Sequence, residues 1–229
     1  MDKFIINIGR QLGSGGRAIG HILSKELGIA YYDKEILSLA AKNSGFCEEV
    51  FEHHDEHKGF FRSFLSSVVP FIGNTSNEFY ANSMSEENLF KLQSDAIRKA
   101  ASEHSCIFIG RCADYVLRDM PRCVNVFIAA DPADRIERIC RLNNVDEQTA
   151  KKMISRGDSQ RADFYNFYSS GTWGAADTYH LCINSSVLGI EATAELIKDF
   201  AIKKLTAKTN NHETNRTALG HSRLLGRPL

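Results

Sequence analysis

The chain has 229 residues, 43% hydrophobic and 24% charged, enough for one buried core with a small inserted lobe. Lys+Arg and Asp+Glu both number 28, so no net field argues for nucleic acid or an acidic membrane as partner. The cysteines at 47, 106, 112, 123, 140 and 182 form no CxxC pair and no metal-ligand spacing, and a reducing cytoplasm is the expected setting.

The opening stretch, FIINIGRQLGSGGRAIGHILSKELG (Phe4 to Gly28), predicts a buried strand, a glycine-rich turn and an amphipathic helix. Phe4 to Ile8 is short, apolar and β-branched, as a central parallel strand requires. With a strand opening the sequence no signal peptide is expected, and no apolar run is long enough to cross a bilayer. Ile19, Ile22, Leu23 and Leu27 then recur at helical spacing, with Gly28 placed to stop the helix. Gly13, Ser14, Gly15 and Gly16 lie between the two. Glycines there permit a tight turn whose amides converge on the positive helix end, an anion cradle suited to phosphate. The alternative is a βα turn that binds nothing. The usual phosphate-loop pattern ends in Gly-Lys-Ser/Thr, and here Gly16 stands in the lysine position with Arg17 behind it. Arg17 is the candidate replacement charge, while the missing hydroxyl removes the usual Mg²⁺ ligand.

Ile29 to Tyr32 predicts a short strand ending at Asp33, which is either a polar ligand contact or the cap of a helix over Lys34–Lys42. Residues 43–84 mix aromatics with Gly, Ser and Asn, and are expected to form short helices and a loop over the sheet. His53, His54 and His57, beside Asp55 and Glu56, are expected to be a solvated acidic segment rather than a metal site. A helix is predicted over Glu86–Glu103, its buried stripe formed by Leu89, Leu92, Ala96, Ile97 and Ala100.

Cys106 to Ile109 predicts the next strand, and Gly110-Arg111 at its end puts a guanidinium either at the ligand edge of the sheet or in solvent. Cys123 to Ala129 predicts another central strand, and Asp131-Pro132 a helix start with Asp as cap. The helix that follows carries Arg135, Arg138 and Arg141 on one side, a solvated face or a phosphate clamp. Asp146 caps a second long helix, on which Asp158 and Arg161 lie three apart, a solvated ion pair by default. The segment from 135 to 165 has the makings of a lid that closes over a polyphosphate. Tyr179 to Asn184 predicts the last strand, and Glu191–Leu205 a closing helix with Leu196, Ile197, Phe200 and Ala201 inward. Cys106, Cys123 and Cys182 fall in stretches expected to be buried strands. Residues 206–229 are polar without sustained period and predict a disordered or loosely attached tail.

Strands alternating with helices predict a three-layer α/β/α domain around a five-stranded parallel sheet spanning residues 1–205, with insertions at about 33–95 and 135–165.

The glycine loop GSGGRAI (13–19), LGIAYYDKEIL (27–37), IGRCADYVLRD (109–119), DPADRIERICR (131–141), DSQR (158–161) and YHLCINSS (179–186) together resemble the cytidylate kinase-like branch of the P-loop nucleoside monophosphate kinases. The resemblance implies a P-loop kinase fold with residues 33–95 as acceptor lobe and 135–165 as lid. It implies ATP-dependent transfer of the γ-phosphoryl group, with Mg²⁺, to a nucleoside monophosphate, CMP-like, or a related small acceptor. It places Gly13, Ser14, Gly15, Gly16 and Arg17 on the donor phosphates. Asp33, Arg111, Asp158 and Arg161 fall at the acceptor. Arg17, Arg135 and Arg138 become the catalytic cations. No general base is required, because phosphoryl transfer is mostly positioning and charge neutralisation. A small-molecule nucleotide is the expected partner, without nucleic acid or membrane, and homo-oligomerisation stays open. Two other readings remain: a nucleotide- or phosphometabolite-binding sensor that lost transfer with the lysine, and a structural homo-oligomer with an inert glycine turn.

Overall fold

A computed structural model describes residues 3–33 and 86–222, with side chains in the second stretch described from 90 to 207. Most of the expected acceptor lobe and the His53/His54/His57 cluster lie outside the described residues.

Five runs rich in Ile, Val, Phe and Tyr form the strands β1 (Ile5–Arg10), β2 (Ala30–Tyr32), β3 (Cys106–Ile109), β4 (Cys123–Ala129) and β5 (Leu181–Asn184). All pair in parallel, in the order β2-β3-β1-β4-β5. Between them run α1 (Gly16–Leu27), α2 (Glu86–Glu103), α3 (Ala113–Val116), α4 (Pro132–Asn143), α5 (Glu147–Tyr168) and α6 (Ser185–Ser222), the last broken at Gly189.

Alternation along the strands sends side chains to two separate cores. Ile5, Tyr32, Cys106 and Phe108 pack against Ile97 and Ala100 of α2 on one face. On the other, Ile6, Ile8, Ile107, Ile109, Val124 and Val126 meet Ile19 and Leu23 of α1 and Ala194 and Ile197 of α6. The result is the expected three-layer α/β/α architecture around a five-stranded parallel sheet. Because β1 leads outward to β2 while β3 leads back across β1 to β4, the crevice beyond the carboxyl ends of β1 and β3 is where such sheets bind ligands.

Several local expectations are corrected. Strand β1 runs on to Arg10, because Gly9 and Arg10 continue the pairing opposite Phe127 and Ile128. Asp131 stands at the N-cap of α4 but does not cap it; its Oδ1 accepts from Asn184 Nδ2 at 2.7 Å. Asp146 does cap α5, accepting from the Thr149 amide at 2.6 Å. Cys182 is exposed because β5 is the sheet edge, and Leu196 is exposed because its side of α6 turns away from the sheet. The backbone of α6 is helical to Ser222, and residues 223–229 lie outside the described residues.

Candidate functional site

The loop between β1 and α1 is bonded into one shape. The Gln11 amide donates to Ile128 O at 3.0 Å, and its side-chain oxygen accepts from the Ala130 amide at 3.2 Å. Ser14 donates to Gln11 O from both its amide (3.3 Å) and its Oγ (2.9 Å), so its buried hydroxyl is engaged inside the loop. Gly13 and Gly15 sit in the left-handed region at φ 82° and 81°. A Cβ at Gly13 would lie 2.8 Å from Arg135 O, and one at Gly15 2.1 Å from Ile190 Cδ1. The amides of Gly13, Gly15 and Gly16 meet no acceptor among the described residues, as expected at a free helix N-terminus. Those three donors and the α1 dipole suit a polyphosphate.

Helices α4 and α5 hold that loop from above. Arg135 Nε donates to Leu12 O at 2.8 Å, and its Nη2 pairs with Asp158 Oδ2. The other Asp158 oxygen accepts from the Leu12 amide at 2.7 Å. Arg138 Nη1 donates to Gly13 O. Arg135, Arg138 and Asp158 therefore gather around the glycine loop itself. Arg161, one turn on, donates to Gly157 O at 3.2 Å and lies 3.5 Å from Asp158 Oδ1. Burial lowers its pKa, an effect Asp158 opposes.

Beside the loop opens a cleft of about 660 Å³, whose lining includes Arg10, Arg111, Asp114, Arg161, Phe164 and Tyr165. Arg111, at φ 61° just past β3, holds its guanidinium carbon 5.1 Å from the centre of the Phe164 ring. Arg10 reaches the cleft from the end of β1. Its pKa falls to about 10 through burial first, then through the positive charges of Arg161, Arg17 and Arg111. Asp114 accepts from the Tyr165 hydroxyl at 2.5 Å, and desolvation raises its pKa.

The expected site residues thus fall into three groups. Gly13, Ser14, Gly15 and Gly16 form the loop, with Arg135, Arg138 and Asp158 bonded onto it. Arg111 and Arg161 face the cleft. Arg17 and Asp33 pair with each other, Arg17 Nη2 standing 3.2 Å from Asp33 Oδ2 at the α1 end of the crevice. Arg10, which lies outside both the expected strand Phe4 to Ile8 and the glycine motif, is a site residue that the sequence pattern does not single out. Its position at the carboxyl end of the first strand was the available signal. Among the described residues, no three His, Cys, Asp or Glu side chains cluster as a metal site. No described helix is long and apolar enough to cross a membrane.

Solved structures share this fold. An uncharacterized protein from Eubacterium ventriosum ATCC 27560 is similar at 27% identity and a TM-score of 0.66, over 89% of this chain and 99% of that one. A gluconokinase from Sinorhizobium meliloti 1021 shares the fold at 9% identity and a TM-score of 0.51, over 91% of this chain and 97% of that one. No curated protein matches. A profile of the cytidylate kinase-like family matches residues 5–187, so the chain belongs to the cytidylate kinase-like family, with a kinase-like role toward a nucleotide or other small molecule.

Proposed function

We propose that the protein transfers the γ-phosphoryl group of ATP to a nucleoside monophosphate, CMP-like, or a related small anionic acceptor. One observation carries this reading: Arg10, Arg111 and Arg161 come from the ends of β1 and β3 and from α5 to line a single cleft beside the glycine loop. Three guanidiniums from separate elements, near enough for Arg161 and Arg111 to depress the pKa of Arg10, suit negative charge gathered where a donor and an anionic acceptor meet.

The free amides of Gly13, Gly15 and Gly16 would hold the donor phosphates, with Arg138 at the loop and Arg17 and Asp33 at its α1 side. Arg111 and Arg161 would hold the acceptor. Asp158 and Arg135 set the position of the loop between them. An acceptor oxygen then forms a bond to Pγ as the bond from Pγ to the β–γ bridging oxygen breaks, leaving ADP. The surrounding cations offset the charge spread over the phosphoryl oxygens. Mg²⁺ fits as an ion carried in on the nucleotide phosphates with most of its water retained, since the described residues supply no acidic cluster of their own. Cytoplasmic residence accords with the free thiols at Cys106, Cys112, Cys123, Cys140 and Cys182.

Steady-state kinetics of Arg111→Ala across a panel of nucleoside monophosphates tests the assignment. The expected result is a KM for the acceptor raised by roughly tenfold or more, with the KM for ATP little changed, in keeping with a lost charged hydrogen bond of about 1.5–3 kcal/mol. An unchanged acceptor KM would remove Arg111 from the site. The second reading, a nucleotide-binding sensor without transfer, draws on Gly16 in the lysine position; it predicts ATP-dependent thermal stabilisation without any diphosphate product.

A further inference from the structure

Gly16 lacks a lysine, and the space beside it is filled. A Cβ at Gly16 would lie 2.8 Å from Arg10 Cβ and 2.9 Å from Arg10 Cγ. The stem of Arg10 therefore crosses directly over the position from which a loop lysine would start. A second glycine marks the other end of the same side chain. A Cβ at Gly110, itself at φ +71°, would lie 2.1 Å from Arg10 Nη1. Arg10 thus threads between two glycines distant in sequence, Gly16 at the start of α1 and Gly110 at the end of β3. It emerges in the cleft beside Arg111 and Arg161. Neither glycine can gain a side chain while Arg10 keeps this path.

The charge at the end of that path is poorly compensated. Among the described residues no carboxylate pairs with Arg10, and Arg161, Arg17 and Arg111 act on it with like charge, opposed by Tyr31. A half-buried cation ringed by cations suits an anion that several of them share. Arg17, by contrast, begins one residue past the lysine position and directs its guanidinium to Asp33.

We infer that Arg10, not Arg17, supplies the cation that the glycine loop lacks at Gly16, binding the phosphates of the donor where the loop meets the acceptor cleft. This deepens the kinase reading and rests on it for the identity of the ligand. Arg10 and Gly16 form an exchange pair: the charge comes from the end of β1 in place of the start of α1, and the two routes exclude each other sterically.

The test uses the full chain with inorganic tripolyphosphate as probe, and ATP turnover in the same preparations. Arg10→Met keeps the stem and removes the charge. It is expected to lose tripolyphosphate affinity by roughly thirtyfold or more, the scale of removing one partner from a desolvated charge pair, and Arg17→Met to lose less. Thermal unfolding without the anion should show Arg10→Met at least as stable as the wild type, because a crowded positive charge has gone. A side chain that merely fills space would not combine those results. Gly16→Lys alone should lower the melting temperature. Arg10→Gly with Gly16→Lys should regain stability and bind tripolyphosphate at least tenfold more tightly than Arg10→Gly alone. Tripolyphosphate binding unchanged in Arg10→Met, absent from the wild type, or damaged more by Arg17→Met would overturn the inference. Binding that depends on Arg10 in a protein that forms no product would leave it standing and defeat the kinase reading instead.

Discussion

Asp158 accepts the Leu12 amide proton at 2.7 Å, which fixes the middle of the glycine loop to the middle of α5. Its second oxygen holds Arg135, and Arg135 returns to Leu12 O at 2.8 Å. Loop, α4 and α5 are closed into a ring of charged hydrogen bonds. The Arg135 side chain is only 9% exposed, so removing its counter-charge strands a cation in low dielectric. Asp158→Ala should therefore cost about 3–5 kcal/mol in urea unfolding. Asp158→Asn, which can still accept from Leu12, should cost less. A loss below about 1 kcal/mol in Asp158→Ala would show that the ring is not structural.

The two left-handed glycines of the loop should respond differently to alanine. At Gly13 the new carbon meets the backbone of Arg135, which cannot move without shifting α4. At Gly15 it meets the far end of Ile190, which can change rotamer. Both pay for a positive φ, but Gly13→Ala adds a clash without relief and should lose at least about 2 kcal/mol. Truncating Ile190 to Ala should recover part of the loss in Gly15→Ala and none of that in Gly13→Ala. Equal recovery in both would contradict the contacts described.

Much of this fold was legible in the sequence, because its elements announce themselves locally. The apolar runs at β1, β3 and β4 are too short for helices, and the stripe Ala96, Ile97, Ala100 can only bury one helical face. The pairing order is a tertiary fact, yet alternating strands and helices leave few parallel arrangements. Side-chain destinations were less legible. The spacing of Arg135, Arg138 and Arg141 predicts a shared side but not that Arg135 would be buried against Leu12 while Arg141 stays exposed. The Arg10 path was invisible for a deeper reason. It depends on Gly16 and Gly110 flanking the two ends of one side chain, an arrangement made only once β1 and β3 pair.

Asp114 provides a pH signature. Desolvation raises its pKa above the ordinary carboxylate value of about 3.9, so in acid the native state holds a proton that the unfolded chain has released. Stability contributed here falls as pH rises from about 4 through the raised folded value, then levels off with the penalty fully present at neutrality. Asp114→Asn keeps an acceptor for the Tyr165 hydroxyl and removes the buried charge. It should raise the melting temperature at pH 7 by about 2–4 °C for each kcal/mol relieved and flatten that pH dependence. A lower melting temperature at pH 7 than at pH 4, relative to wild type, would reverse the sign and place a stabilised carboxylate at this position.

The most direct measurement follows phosphorus by NMR in one tube holding the protein, ATP, Mg²⁺ and CMP, repeated with the other nucleoside monophosphates. A phosphotransferase of the kind proposed yields ADP and a nucleoside diphosphate in equal amounts with at least one acceptor, and no matching rise in inorganic phosphate. ATP that stays intact with every acceptor, or yields only ADP and inorganic phosphate, would contradict the proposed transfer and favour a protein that binds nucleotides without passing the phosphoryl group on.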